Sequence, residues 1–224
     1  MLNKQDSQFI ETILTFWDHL NSQQKSMLLE NAMLMNYQRG ETIHQGENDC
    51  VGVLLIKSGE LRTYILSEDG RDITLYRIGA NEFCILSASC ILQNITFDVH
   101  IDAEQDCEII LINSAIFQKI CNENIYAENF SYKAAIDRFS DVMWAMQQIL
   151  FMSFDKRLTI FLLDEVARTG SNTIVMTHEQ IAKYIGSARE VVSRMLKYFE
   201  NEGYVHLSRG KIEVIDKVQL RDII

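Results

Sequence analysis

The run THEQIAKYIGSAREVVSRMLKYFENEGYV, residues 177–205, admits few folds. Thr177 with Gln180, and Ser187 with Glu190, fit the S/T-x-x-E/Q pattern in which two side chains satisfy unpaired backbone N–H groups at a helix start. Two short helices are predicted. Gly186 lies between them, where a tight turn needs positive φ, so the pair reads as a helix-turn-helix. In the second helix Val192, Met195, Leu196 and Phe199 repeat at intervals of three and four, while Arg189, Glu190, Ser193, Arg194 and Lys197 fall on the other side. After Gly203, YVHLSRGKIEVI alternates polar and apolar residues around Ser208-Arg209-Gly210-Lys211, a β-hairpin whose tip carries Arg209 and Lys211. The sequence therefore predicts a winged helix-turn-helix over residues 151–224.

The polar face suits the major groove of double-stranded DNA. Arginine bridges guanine O6 and N7, glutamate accepts from cytosine N4, and serine serves base edges or phosphate. Net charge does not decide the matter, because the chain carries −10 overall. That acidity is confined to residues 1–150, with 10 Lys/Arg against 21 Asp/Glu; residues 151–224 hold 11 against 10. The placement of Arg and Lys has to carry the reading. The alternatives are an amphipathic helical hairpin with solvated charges and a winged module that binds protein.

No apolar run approaches the roughly 18 residues of a membrane span, and MLNKQDSQFIET lacks the plan of a signal peptide, so a cytoplasmic protein is expected. The cysteines, Cys50, Cys84, Cys90, Cys107 and Cys121, form no C-x-x-C pair, so neither a disulfide framework nor a thiolate metal site is expected. Proline is absent, and glycine punctuates the chain. Gly40, Gly46, Gly52, Gly59, Gly70 and Gly79 break up short runs such as VGVLLI, LRTYIL and DITLYRI, and TFDVHIDA and CEIILI resume the pattern. An antiparallel β-roll is predicted over about residues 20–112. A short helix at Phe9–Phe16 precedes it and another at Ser114–Cys121 follows it, within a first domain of residues 1–122.

Residues 123–150 then run without Gly or Pro, and Tyr132, Ala135, Phe139, Val142, Met146 and Ile149 alternate at three and four. This spacing predicts a long helix whose a/d line meets a second copy of the chain. Ile136, Met143 and Leu150 widen the stripe, leaving one flank for the roll. Burial within one subunit is the alternative. The fold class is α+β: an N-terminal β-roll, a long dimerisation helix and a C-terminal winged helix-turn-helix.

That order, together with IGSAREVVSRMLKYFENEGYV, resembles the Crp/Fnr family of bacterial transcription regulators across nearly the whole chain. The resemblance implies a homodimer that binds an imperfect DNA palindrome, with RNA polymerase as a candidate partner and no catalytic activity. It also implies that Glu190 and Arg194 read bases in a half-site containing a TGA core, that Ser193 assists, and that Arg189 touches base or phosphate. Lys197, Arg209 and Lys211 complete the expected DNA-binding set.

The likeness departs from the family at the effector site. Members that sense cyclic AMP have an Arg-Ser pair that holds the cyclic phosphate, and aligning CEIILI with the strand beyond it places Phe97 and Asp98 there. That exchange removes a cation and adds an anion. Cyclic-nucleotide binding is not expected. Phe83, Cys84, Leu86, Cys90, Phe97 and Asp98 are the candidate pocket, and its apolar character points to an uncharged or aromatic effector. Residues 1–49 lack the cysteines of the family's iron-sulfur sensors. His44 and His100, the histidines of the roll, read as structural residues, and no H-x-H supports a cupin-like metalloenzyme. No cofactor is expected.

Overall fold

VLLI, the run Val53–Ile56, shows no polar alternation because it is covered on both sides. In the computed structural model, which describes residues 2–46, 51–68, 70–85 and 99–224, Val53 and Leu55 belong to one apolar core and Leu54 and Ile56 to another. Successive strand side chains point to opposite faces, so a strand between two cores is apolar at every position.

The chain opens with α1 (Lys4–Ile13), a 3₁₀ turn (Trp17–His19) and α2 (Ser22–Glu30). The strands of the roll are β1 (Ala32–Tyr37), β2 (Thr42–Gln45), β3 (Val53–Ser58), β4 (Glu60–Leu66), β5 (Asp72–Gly79), β6 (Phe83–Cys84), β7 (His100–Ala103) and β8 (Cys107–Ile112). They form two four-stranded sheets, β1-β8-β3-β6 and β2-β7-β4-β5. Next come α3 (Ser114–Glu123) and the 27-residue α4 (Ile125–Phe151). The winged part comprises α5 (Phe154–Thr169), β9 (Thr173–Ile174), α6 (His178–Ile185), α7 (Arg189–Asn201), β10 (Val205–Ser208), β11 (Lys211–Val214) and α8 (Lys217–Arg221). Two compact units result, Met1–Leu66 with Leu75–Val142, and Ser67–Thr74 with Met143–Ile224, so their division falls within α4. Among the described residues no helix is long and apolar enough to cross a membrane.

The roll begins at Ala32 rather than near residue 20, because residues 22–30 form a helix. Its start is an asparagine capping box: the Asn21 side chain accepts from the Gln24 N–H (2.8 Å) and the Gln24 side chain accepts from the Asn21 N–H (3.1 Å). The first helix likewise starts earlier than Phe9, capped by Asn3 and Asp6. One predicted turn is held by sterics. Gly59 joins β3 to β4 at φ +88°, and a Cβ there would lie 2.5 Å from both the Asp106 carbonyl oxygen and the Cys107 sulfur.

A charged cluster ties α1 to the roll. The Asp6 side chain is 1% exposed and lies 2.7 Å from Lys57 Nζ, which also bonds Glu108. Burial alone would raise the Asp6 carboxyl, but the Lys57 ammonium and the Asn3 N–H outweigh it and hold the group below its ordinary value. A carboxyl depressed in the folded state stabilises above its unfolded pKa, and that stabilisation is lost as pH falls through the folded value. Lys57→Met leaves the Asp6 carboxylate buried without its cation and should cost about 3 kcal/mol at pH 7. Urea unfolding checks this, and the difference from wild type should shrink as pH drops below the ordinary carboxylate range.

Candidate nucleic-acid interface

The start of α6 follows the sequence. Thr177 accepts from the Gln180 N–H (3.2 Å), and the Gln180 side chain accepts from the Thr177 N–H (2.9 Å). Its end is a left-handed turn: Gly186 has φ +60°, and the Ser187 N–H donates to the Ala182 carbonyl at 2.9 Å. Arg157 donates to the Ile185 carbonyl at 2.7 Å, satisfying another terminal oxygen.

The second predicted capping box does not form. The backbone of Ser187 is engaged in closing α6, so α7 starts one residue later, with Ala188 at its N-cap and no side-chain cap. Glu190 takes no part in a cap and stands exposed. The two faces of α7 separate as the spacing predicts. Val192, Leu196 and Phe199 are fully buried in the core of the winged unit, with Met195 packed against it. Arg189, Glu190 and Arg194 project into solvent.

Lys197 is engaged with its own helix. Its ammonium lies 2.7 Å from Glu200, which also accepts the Leu207 N–H at 3.0 Å. These two donors, the Lys197 bond first, hold the Glu200 carboxyl below its ordinary value. The wing pairs β10 with β11 from Val205↔Val214 to Ser208↔Lys211, leaving Arg209 and Gly210 at its tip. Arg209 and Lys211 are both exposed. A third strand, β9, pairs Ile212 with Ile174 and widens the wing into a sheet. A two-residue strand has too little sequence to show a period.

Where α6 and α7 begin beside the wing, a cavity of about 330 Å³ opens, lined in part by Thr177, His178, Arg189, Ser208 and Lys211. His178, which sequence reading passed over, places Nδ1 2.7 Å from the Ser193 hydroxyl. Burial, then the positive charge of Arg189, lowers its imidazole pKa. Fifteen residues separate the pair, beyond any local spacing rule.

The seam residues divide. Tyr132, Phe139, Met146 and Ile149 are exposed, whereas Ala135 and Val142 are half-buried, Val142 against the roll's interior core. The longer exposed row is Tyr132, Ile136, Phe139, Met143, Met146 and Leu150, with Ile136 at 62% and Phe139 and Leu150 at 64% exposure. Its 4-3-4-3-4 spacing is a heptad line one residue along from the predicted one at alternate positions.

Of the predicted effector pocket, Leu86, Cys90, Phe97 and Asp98 lie outside the described residues. Phe83 and Cys84 do not line one cavity, because adjacent strand residues face opposite ways. Phe83 stacks on Phe130 at 4.7 Å on the helical side, and Cys84 is buried inside the roll. Cys107 and Cys121 are buried thiols whose pKa values burial pushes up. Among the described residues no group of three His, Cys, Asp or Glu side chains is placed to hold a metal ion.

Comparison with known proteins supplies the family. Residues 34–124 match the model of the cyclic nucleotide-binding domain, and residues 156–223 match the Crp-like helix-turn-helix domain. The fold superposes with a TM-score of 0.91 on a protein from Eubacterium rectale assigned to the Crp/Fnr transcriptional regulators, 45% identical, covering 95% of this chain and 99% of that one. The c-di-GMP responsive global regulator CLP of Xanthomonas campestris shares the fold at 16% identity and a TM-score of 0.73, covering 88% of this chain and 100% of that one. The cAMP-activated global transcriptional regulator Vfr of Pseudomonas aeruginosa is 23% identical over 84% of this chain and 91% of its own. The exposed polar face of α7, the wing beside it and these matches together make the chain a member of the Crp/Fnr family of DNA-binding transcriptional regulators.

Proposed function

We propose that two copies of the chain pair along α4 and present their α7 helices to an imperfect palindrome in double-stranded DNA. Residues 1–122 form the effector-sensing part, 123–150 the dimerisation helix and 151–224 the DNA-binding part. The observation that carries the DNA reading is the exposed face of α7 with Arg189, Glu190 and Arg194, of which Arg189 lines a cavity shared with Lys211 of the wing. Glu190 and Arg194 read bases, Ser193 assists, Arg189 meets base or phosphate, and Arg209 and Lys211 meet phosphate. Lys197 contributes less than its position on the helix suggests, because Glu200 already holds its charge. The site is cytoplasmic DNA, and RNA polymerase is a further partner.

The exposed heptad row on α4 supports the pairing. Six apolar side chains in an a/d line form the seam of a two-stranded coiled coil, and a helix face of this width is poorly tolerated in water. The effector is not a cyclic nucleotide, on the sequence ground that Phe97 and Asp98 replace the phosphate-holding pair. A sequence relative is named for cyclic AMP and a fold neighbour for c-di-GMP, so likeness of this kind does not by itself select the ligand. A regulator of this class works if its effector prefers one arrangement of the two α7 helices over another.

Each element has its own test. Arg194→Ala should cost about 1 to 3 kcal/mol on the specific duplex and relax discrimination at one guanine per half-site, read by titration against single-base variants. Equal loss on random DNA would remove its base-reading role. Arg209→Ala should weaken both duplexes alike and reduce the salt slope by about one unit per subunit, with Lys197→Ala doing less. Phe139→Glu sets two carboxylates against each other in the seam, so sedimentation should report a monomer and operator binding should fail with it. A Phe139→Glu protein that remains dimeric would place the interface elsewhere. Calorimetric titration with cyclic AMP and cyclic GMP should show no binding, and micromolar affinity for either would refute the effector reading.

A further inference from the structure

We infer that His178 is a positioning residue for base recognition, whose imidazole fixes the direction in which Ser193 offers its hydroxyl to a base edge. The inference rests on Ser193 facing a base, as proposed above. A serine hydroxyl donates one hydrogen bond and accepts two, and it rotates to suit its surroundings. Left free, it serves a donor or an acceptor on DNA equally well and discriminates poorly. Bonded at 2.7 Å to Nδ1 of His178, it no longer rotates freely and one of its three hydrogen-bonding positions is filled.

If Nδ1 accepts the hydroxyl proton, Ser193 turns lone pairs outward and suits the amino group of adenine or cytosine. With the proton on Nδ1, Ser193 accepts from the ring and holds its own hydrogen and one lone pair in fixed directions, so its hydrogen can be aimed at N7 or a carbonyl oxygen. The first state leaves only acceptor capacity, and both replace a freely rotating hydroxyl with one whose remaining positions point in set directions.

The surroundings hold the pair in place. His178 is the first residue of α6, directly after the Thr177 cap that fixes the start of that helix. Ile181, Ala182 and Ile185 of α6 share a core with Val192 and Leu196 of α7, so the two backbones are locked on either side of the bond. Ser193 is half-buried while Arg189, Glu190 and Arg194 are exposed, consistent with an imidazole covering one side of the hydroxyl. The charged groups at the cavity edge are Glu179 on α6, Arg189 on α7 and Lys211 on β11. Burial, then the positive charge of Arg189, disfavours a charge on His178 and lowers its pKa.

The test uses full-length protein and the duplex that wild type recovers from a random pool, with every half-site position substituted in turn, alongside a random duplex. Ser193→Ala and His178→Ala should each lower discrimination at the same base pair by about three- to tenfold, the effect of one hydrogen bond of ordinary net strength. The double variant should lose no more than either single one, since both remove the same interaction. His178→Asn, whose amide reaches the place of Nδ1, should recover part of the loss. His178→Phe retains the ring without the bond and replaces the alanine variant should that one fail to fold. Additive losses, or a His178→Ala effect equal on the specific and random duplexes, would overturn the inference. A Ser193→Ala protein with unchanged discrimination at every position removes the base-reading role of Ser193 and this inference with it. Loss for Ser193→Ala with none for His178→Ala removes the inference alone.

Discussion

The way α6 ends determines where the recognition helix begins and which of its side chains are left to meet DNA. Gly186 takes a left-handed conformation, and Ile149 Cδ1 lies 3.3 Å from where its Cβ would stand. The Ser187 N–H is spent on Ala182, and the Ile185 carbonyl on Arg157. The Ser187 N–H is then unavailable to the Glu190 side chain, the reciprocal half of the capping box is lost, and α7 starts at Arg189 behind Ala188. An uncapped start costs stability, roughly 1 kcal/mol relative to a good cap. In exchange, Glu190 is free of the helix end and available to a base.

The same turn meets the end of the long helix. Ile149 of α4 lies in tight contact with the position a Gly186 Cβ would take, so the helix proposed to pair two subunits reaches the turn before α7. That contact gives the seam a physical route to the DNA-binding face. A ligand that changes how two α4 helices meet has a means of changing how two α7 helices are presented, provided it binds the two arrangements unequally.

Legibility in the sequence followed the strength of local rules. The faces of α7 were readable because thirteen residues with one apolar row have a single sensible orientation. The wing was readable because a two-residue tip containing glycine leaves little choice of register. Other elements depended on partners distant in sequence. The Ser187 pattern was a valid cap motif overridden by the bond that ends the preceding helix. The second helix, α2, was hidden because its cap is asparagine and its apolar face is narrow, with Leu28 its fully buried apolar residue. On α4, two neighbouring rows are both apolar, and the roll decides between them by packing Val142 against its core. The His178–Ser193 bond spans two helices, and spacing alone does not announce such contacts.

The central claim is that the exposed face of α7 reads DNA sequence in duplicate. Its most direct test is selection of duplexes from a random pool by the full-length protein at physiological salt, followed by sequencing. The expected result is an inverted repeat with half-site centres about one helical turn apart, roughly 10 to 11 base pairs. Recovery of no common sequence, or of a single unrepeated motif, would contradict the account.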